Sequence, residues 1–226
     1  MNIKNILTTL AVVAVTTLTI SDMEAKERKL PSPDTVGGMP MNEVVSNRHS
    51  IREFDSSHAV GDQELGQALW MSIGINRRNA APSKLGAPTN RSNPTALNWQ
   101  EIHAYVFDKD GVWKYLPEDL SLELIAEGDH RALVAGTAGF SQEFVLDAPC
   151  SIVFVADLKE LPEGERTKAM ALVDAGIACE NLTLACTSIG LATVPRATMD
   201  NAGISRLLGL SPLQIPVMNN PVGYKK

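Results

Sequence analysis

The chain has 226 residues, of which 44% are hydrophobic and 20% charged, and its formal net charge at pH 7 is −6. This length and apolar fraction are typical of one globular domain with a substantial buried core. The negative charge argues against a nucleic-acid-binding protein, because that class needs a basic face for phosphates. A local cluster of basic residues in this chain therefore favours a small anionic ligand.

The first 25 residues are predicted to be a secretory signal peptide. Lys4 precedes a run of apolar residues and Thr from Ile6 to Ile20, and a small residue, Ala25, stands before Lys26. The run is shorter than the roughly 20 residues that cross a bilayer. We therefore expect export, to the periplasm of a bacterial envelope, with no stable membrane insertion after cleavage. An uncleaved N-terminal anchor is the alternative interpretation.

Residues 26–40 are polar and rich in Pro and Gly, which predicts a flexible leader into a single domain over residues 41–226. The domain is predicted to begin with a short helix over Met41–Asn47. A second helix is predicted over Asp62–Ile73, with Asp62 as its N-cap and Trp70 in the core.

A group of basic and hydroxyl side chains lies between these two helices, within Asn47–Phe54. In an extended segment Arg48, Ser50 and Arg52 project to one side, because strand side chains alternate. Guanidinium groups bind phosphate oxygens in pairs, so this side would suit a phosphate monoester. A solvated surface charge cluster is the other interpretation of the same residues.

The next segment, residues 76–93, is a polar loop that contains Pro and four basic residues. Long loops in compact domains are often functional, and this one leads into a second polar motif at Asn98. We therefore expect it to form the rim of an active site. Its basic residues are Arg77, Arg78, Lys84 and Arg91.

The second half of the chain mixes strands and helices, which predicts an α+β fold. A hairpin is predicted over residues 101–115, where His103 is a strand residue and not a catalyst. Helices are predicted over 120–133, 141–146, 166–188 and 204–210, a buried central strand over 150–156, and a closing strand from 214 to 219. Cys150, Cys179 and Cys186 lie in apolar sequence and are expected to be buried without metal.

Four stretches together resemble the nitroreductase-like flavoproteins, over roughly residues 41–226. Asn47–Phe54 resembles the family's flavin-phosphate motif, and Arg91–Gln100 resembles its Pro-Ser-x-x-Asn-x-Gln loop. Ile189–Pro195 resembles the Gly-Leu turn beside the flavin ring, and Pro221–Lys226 resembles the closing strand. The resemblance implies a mixed, mostly antiparallel central sheet flanked by helices, in an intertwined homodimer with FMN at the subunit interface.

The resemblance also implies which residues bind FMN. Arg48, Ser50 and Arg52 would hold the phosphate and ribityl chain, with backbone contacts from His49, and Lys225 or Lys226 would complete the phosphate site. A frayed basic C-terminus is the alternative for the two lysines.

Two further segments are implied to contact the flavin ring. Asn98 would pair with the pyrimidine edge, since its amide both donates and accepts, and Thr95 and Gln100 are second choices. Backbone N–H groups of the Pro195, Arg196 and Ala197 turn would approach N5. Many relatives have Glu-Gly where this chain has Ala197 and Thr198, and a role for that carboxylate is lost here. No general acid or base is identified.

The resulting hypothesis is an exported FMN-dependent oxidoreductase that works by a ping-pong mechanism. The resemblance implies NAD(P)H as the electron donor and a small electron-poor molecule as the acceptor. Export complicates the choice of donor, because nicotinamide pools are cytosolic. The alternative is an exported flavin-binding or carrier protein without turnover.

Overall fold

The computed structural model describes residues 26–78 and 87–226, which form a seven-stranded sheet with helices on both faces. The strand order is β1-β6-β5-β4-β9-β11-β10, and every pairing within this sheet is antiparallel. Its strands are β1 (Glu27–Lys29), β4 (Ile102–Asp108), β5 (Gly111–Leu116), β6 (Ser121–Glu127), β9 (Cys150–Asp157), β10 (Ala192–Thr193) and β11 (Gln214–Gly223). Two small hairpins lie apart from it, β2 (Ile75–Arg77) with β3 (Asn90–Arg91), and β7 (Gly136–Thr137) with β8 (Phe140–Ser141). The predicted α+β fold with a mostly antiparallel central sheet is confirmed.

Six helices in the described residues cover the two faces of the sheet. They are α1 (Met41–Asn47), α2 (Asp62–Ile73), α3 (Arg131–Ala135), α4 (Phe144–Asp147), α5 (Glu165–Ser188) and α6 (Asn201–Leu207). The central strand β9 is buried from Cys150 to Ala156. Its side chains point alternately to the helices on one face of the sheet and to those on the other. Ile152 and Phe154 pack towards α2 and α5, whereas Val153 and Val155 pack towards α3 and α6.

Helix α5 is the longest helix in the described residues and half of it is buried against the sheet and α2. It is also the one described helix whose length and composition would suffice to cross a membrane. Its packing against β9, β11 and α2 is that of a core helix. The face turned away from the sheet carries Leu172 and Val173, which are 52% and 54% exposed.

Most elements of the domain agree with the sequence prediction. Helices α1 and α2 have the predicted bounds, the predicted hairpin is β4 and β5, and the predicted central strand is β9. The predicted helix over 166–188 is α5, and the closing strand begins at Gln214 as predicted but continues to Gly223. The three cysteines are buried and free. Trp70 is only half-buried, and its Nε1–H donates to the carbonyl of Ile75 at 3.1 Å.

The helix predicted over residues 120–133 is wrong, because half of that segment is strand β6. Its sequence, Ser-Leu-Glu-Leu-Ile-Ala-Glu, is rich in residues with good helix propensity. Pairing with β5 on one side and β1 on the other overrides that local preference. Only Arg131–Ala135 is helical in this region, and the helix predicted over 141–146 is reduced to the single turn α4.

Three smaller expectations also change. The segment predicted to be a flexible leader starts with an ordered edge strand, β1, and Leu30 behind it is buried. Asp62 does not cap α2, since Gly61 occupies that position and the Asp62 carboxylate is paired with Arg28. The last short helix starts at Asn201, where the Asp200 carboxylate caps it by accepting from the N–H of Gly203 at 2.9 Å. The predicted signal peptide lies outside the described residues.

Candidate functional site

The segment after α1 is fixed by the C-terminal end of the chain. The N–H of Ile51 donates to the carbonyl of Thr193 at 3.0 Å, which attaches the segment to β10. Phe54 then pairs with Lys225 in an isolated antiparallel bridge, and the N–H of Asp55 donates to the carbonyl of Tyr224 at 2.9 Å. The tail beyond β11 is therefore held against the basic motif, as the C-terminal motif predicted.

These contacts create an open cleft of about 290 Å³ lined by His49, Ser50, Ile51, Arg52, Glu53 and Lys225. Four of the predicted site residues thus come together there: His49, Ser50, Arg52 and Lys225. Neither Arg52 nor Lys225 forms an ion pair with any residue in 26–78 or 87–226. The cleft therefore offers a guanidinium, an ammonium and a hydroxyl, a donor set that fits a phosphate.

The two other basic residues predicted at this site lie at its margin. Arg48 is half-buried where α1 ends, and its backbone N–H donates to the carbonyl of Val44 at 2.8 Å. Lys226 is exposed, and its backbone N–H donates to the carbonyl of Glu53 at 3.3 Å. Glu53 and Ile51 line the cleft but were missed by the sequence prediction, although both lie within the predicted motif.

The predicted Gly-Leu turn connects α5 to β10. Gly190 has φ of +79°, a left-handed conformation that favours glycine, and the N–H of Leu191 donates back to the carbonyl of Cys186 at 2.8 Å. The turn thus leads directly into Thr193, the residue that holds Ile51. Gly223, at the end of β11, allows close packing against Pro149, because a Cβ there would lie 2.5 Å from Pro149 Cδ.

The predicted contribution of Arg196 to cofactor binding needs correction. Its backbone N–H, expected to face the flavin, donates instead to the carbonyl of Asn219 at 2.8 Å. Its guanidinium is buried beside the Phe144 ring, at 5.6 Å from the centroid. The guanidinium donates to Gln142 Oε1, the carbonyls of Val134 and Ala135, and Asn219 Oδ1 over 2.6–3.2 Å. Burial lowers the pKa of this group to about 10.

The neighbours of Arg196 in the predicted turn differ from it. Pro195 is half-buried, whereas Ala197 is exposed. No hydrogen bond within the described part of the chain uses the N–H of Ala197. Of the three residues predicted in this turn, Ala197 is the one that leaves a backbone donor open to a ligand.

The second polar motif forms a self-contained loop, which corrects the role predicted for Asn98. Both hydrogens of its amide donate within the loop, to the carbonyls of Ala87 at 3.0 Å and Thr89 at 2.9 Å. Its Oδ1 accepts from Gln100 Nε2 at 3.0 Å, and Thr95 Oγ1 accepts from the Gln100 N–H at 3.1 Å. None of these three predicted residues lines the cleft. Lys84, predicted on the rim, lies outside the described residues.

The same loop contains concentrated backbone strain that the sequence did not reveal. Leu97, Asn98 and Gln100 have φ of 49°, 59° and 56°, in the left-handed region that non-glycine residues seldom adopt. Such residues cost of order 1–3 kcal/mol each and cluster at functional sites. The loop is therefore a candidate functional element, held in shape by its own side chains.

The comparison with protein families identifies the chain. The nitroreductase family model matches residues 45–224, which include the strained loop and every residue of the cleft except Lys225. The chain belongs to the nitroreductase family.

Individual relatives agree with this assignment. A protein of Methanocaldococcus jannaschii named as a nitroreductase is 25% identical over 207 residues, 89% of this chain and 98% of that protein. The crystal structure of a Ralstonia eutropha JMP134 protein, also named as a nitroreductase, superposes with a TM-score of 0.76 at 27% identity. That alignment covers 99% of this chain and 97% of the other. A Clostridium acetobutylicum protein named as an NADH oxidase shares the fold, with a TM-score of 0.55, 17% identity, and 81% and 87% coverage.

We predict that Arg196→Lys destabilises the fold without weakening binding in the cleft. A lysine ammonium cannot reach all four acceptors of the planar guanidinium, and hydrogen bonds to a charged group contribute about 1.5–3 kcal/mol. Urea denaturation should show a loss of that size, whereas Arg206→Lys, at an exposed residue of α6, should show almost none. A variant with wild-type stability and weaker FMN binding would contradict the structural role assigned to Arg196.

Proposed function

We propose that this nitroreductase-family protein is an FMN-dependent oxidoreductase. The observation that supports FMN is the cleft in which Arg52, Lys225, Ser50 and His49 meet. Two cations without carboxylate partners in the described residues suit a dianionic phosphate monoester, and the acidic net charge of the chain makes this local basic site unusual.

The chain's own residues would bind and orient the cofactor. Arg52 and Lys225 would pair with phosphate oxygens, the Ser50 hydroxyl would donate to a third, and Arg48 would add charge from the margin. The backbone N–H of the exposed residue Ala197 makes no hydrogen bond within the described residues and would be available to the ring. Bound FMN would supply the electron relay, accepting electrons from a donor and passing them to an acceptor after the donor leaves.

NAD(P)H is the proposed donor, and a small electron-poor molecule is the proposed acceptor. The name of the Clostridium acetobutylicum protein, NADH oxidase, is consistent with a nicotinamide donor on this fold. A flavin-binding or carrier protein without turnover is the second candidate. It is favoured by Ala197, which lacks the carboxylate that the family resemblance implies at this position. Export to the periplasm remains a proposal that rests on residues 1–25 alone.

We further propose that the protein is a homodimer with FMN between the subunits. Leu172 and Val173 of α5 leave an apolar face uncovered, and a Cβ added at Gly176 on the same helix would meet nothing within 4 Å. On α1, which packs against α5, Met41 and Val45 are 61% and 58% exposed. A second copy covering these residues would form an interface larger than the typical total of about 1,600 Å².

The phosphate assignment is tested by Arg52→Gln. The change keeps a polar side chain but removes a charge-assisted hydrogen bond of about 1.5–3 kcal/mol, so FMN affinity should fall roughly 10- to 100-fold. Arg206→Gln removes the same charge from an exposed residue of α6 that does not line the cleft, and it should leave the affinity unchanged. Fluorescence titration with FMN measures both. Equal affinities for wild type and Arg52→Gln would contradict the proposal.

The dimer proposal is tested by Leu172→Glu. Leu172 is exposed in the single chain, so a glutamate there should leave the fold intact but place a charge in the apolar interface. Sedimentation velocity should show monomers, and FMN should be lost together with the dimer. Leu213→Glu, at a residue that is 45% exposed and lies outside α1 and α5, should remain dimeric. A flavin-loaded monomer in either variant would refute the shared site.

A further inference from the structure

Two carboxyl groups are buried behind the strained loop. Glu101 immediately follows this loop and precedes β4, and Asp174 lies on the sheet-facing side of α5. Each residue is only 4% exposed. Two ionised carboxylates at one buried position would repel each other and would both lack water, so this arrangement needs a compensating proton.

Asp174 connects the loop to the core helix. Its Oδ2 accepts a hydrogen bond from the backbone N–H of Ala96 at 2.7 Å. Ala96 is followed directly by Leu97 and Asn98, both in the left-handed conformation. Backbone strain persists only where surrounding contacts hold it, and this charge-assisted bond is a contact between the strained turn and α5.

Glu101 has no hydrogen-bond partner in the described residues for either carboxylate oxygen. Its neighbour is the Asp174 carboxyl, and no described cation binds the pair. Arg91 on β3 donates to Gln100 Oε1 and to the carbonyl of Ile73 instead. An ionised Glu101 would therefore be a buried charge without compensation.

The charged groups on the surrounding elements do not supply that compensation. His103 lies two residues along β4, and burial lowers its pKa to about 4, so it is neutral near pH 7. The Asp157 backbone N–H on β9 donates to the Glu101 carbonyl at 2.9 Å, and the Asp157 carboxylate lies within ion-pair distance of His103 and Lys159. Burial first, and then Asp174, raises the pKa of Glu101 to about 7.

We propose that Glu101 and Asp174 share one proton and that this pair positions the Thr95–Gln100 loop. Protonated Glu101 donates its O–H to the Asp174 carboxylate, which keeps its other oxygen for the N–H of Ala96. When Glu101 loses the proton to solvent, the two carboxylates repel and the loop is released. The consequence for FMN rests on the proposed function and on the family resemblance, which implies that this loop contacts the flavin ring; the proton sharing itself does not.

The direction of the pH effect follows from the raised pKa. Below pH 4.5 the carboxyl is protonated in both the folded and the unfolded chain. Between pH 4.5 and about 7 the folded protein retains a proton that the unfolded chain releases, so stability falls as pH rises through this range. Glu101 and Asp174 are thus positioning residues, and the loss of stability that follows deprotonation should be absent below pH 4.5.

Thermal melting between pH 5 and pH 8.5 tests the proton sharing. Glu101→Gln is nearly isosteric and its amide donates to Asp174 at any pH, so this variant should lack the pH-dependent loss. We expect the wild-type melting temperature to fall by roughly 5–10 °C more than that of Glu101→Gln. Glu160→Gln, the same change at an exposed turn residue, should follow the wild-type curve. Parallel curves for wild type and Glu101→Gln would overturn the proposal.

Hydrogen exchange at Ala96 and FMN titration test the positioning role. Protection of the Ala96 amide should fall at least tenfold from pH 6 to pH 8.5 in wild type, after correction for intrinsic exchange, but persist in Glu101→Gln. Asp174→Leu, which removes the acceptor of the Ala96 N–H at similar volume, should lose protection at both pH values, and FMN affinity should follow protection in all three proteins. Absence of FMN binding at any pH would refute the proposed function alone, because the melting and exchange measurements would still test whether Glu101 and Asp174 share a proton. Unchanged Ala96 protection across the series would refute the positioning role.

Discussion

The pairing of β11 with β9 determines where the candidate site forms. Eight residue pairs, from Gln214 with Asp157 to Val222 with Cys150, fix the course of the last strand between β9 and the edge strand β10. The three residues after Gly223 therefore emerge beside Phe54, and Lys225 reaches the same cleft as Arg52. Chain ends are ordinarily frayed, but the long pairing of β11 with β9 holds Lys225 at a defined position in the cleft.

Buried polar contacts support the same region from inside. Asn220, fully buried on β11, donates to Thr183 Oγ1 on α5 and Thr193 Oγ1 on β10, and its Oδ1 accepts from Cys179 Sγ. Arg196 supports the preceding residue of β11 in a similar way, because its guanidinium donates to Asn219 Oδ1. Removing one member of such a network leaves buried donors or acceptors unpaired, at about 1–3 kcal/mol each. The buried side chains of Asn220 and Arg196 are thus structural, and ligand binding is left to the exposed residues that line the cleft.

The sequence predicted the fold and one half of the site well. Regular alternation identified β4 and helical spacing identified α2, because burial on one face leaves a periodic pattern. A continuous apolar run identified β9, and an apolar segment rich in small residues identified α5. It failed at Ser121–Glu127, where helix-favouring residues form a strand through pairing with distant segments. The basic motif at residues 48–52 was recognisable because its members are adjacent in the chain.

The other half of the site was less predictable, because its contacts join distant parts of the chain. Residue type alone could not show that the Asn98 amide donates both of its hydrogens to the carbonyls of Ala87 and Thr89, or that Arg196 is buried. The Glu101 and Asp174 pair joins positions 73 residues apart, and only folding reveals that both are buried at one place.

Anaerobic reduction tests the central claim, that the cleft binds a flavin that is used for electron transfer. Purified full-length protein with bound FMN would be mixed with NADH or NADPH in the absence of oxygen, and then with a quinone or nitroaromatic acceptor. If the protein is such an oxidoreductase, the visible flavin absorbance is lost when the donor is added and returns when the acceptor is added. Absorbance of bound FMN that neither nicotinamide changes would contradict the enzyme and favour a carrier.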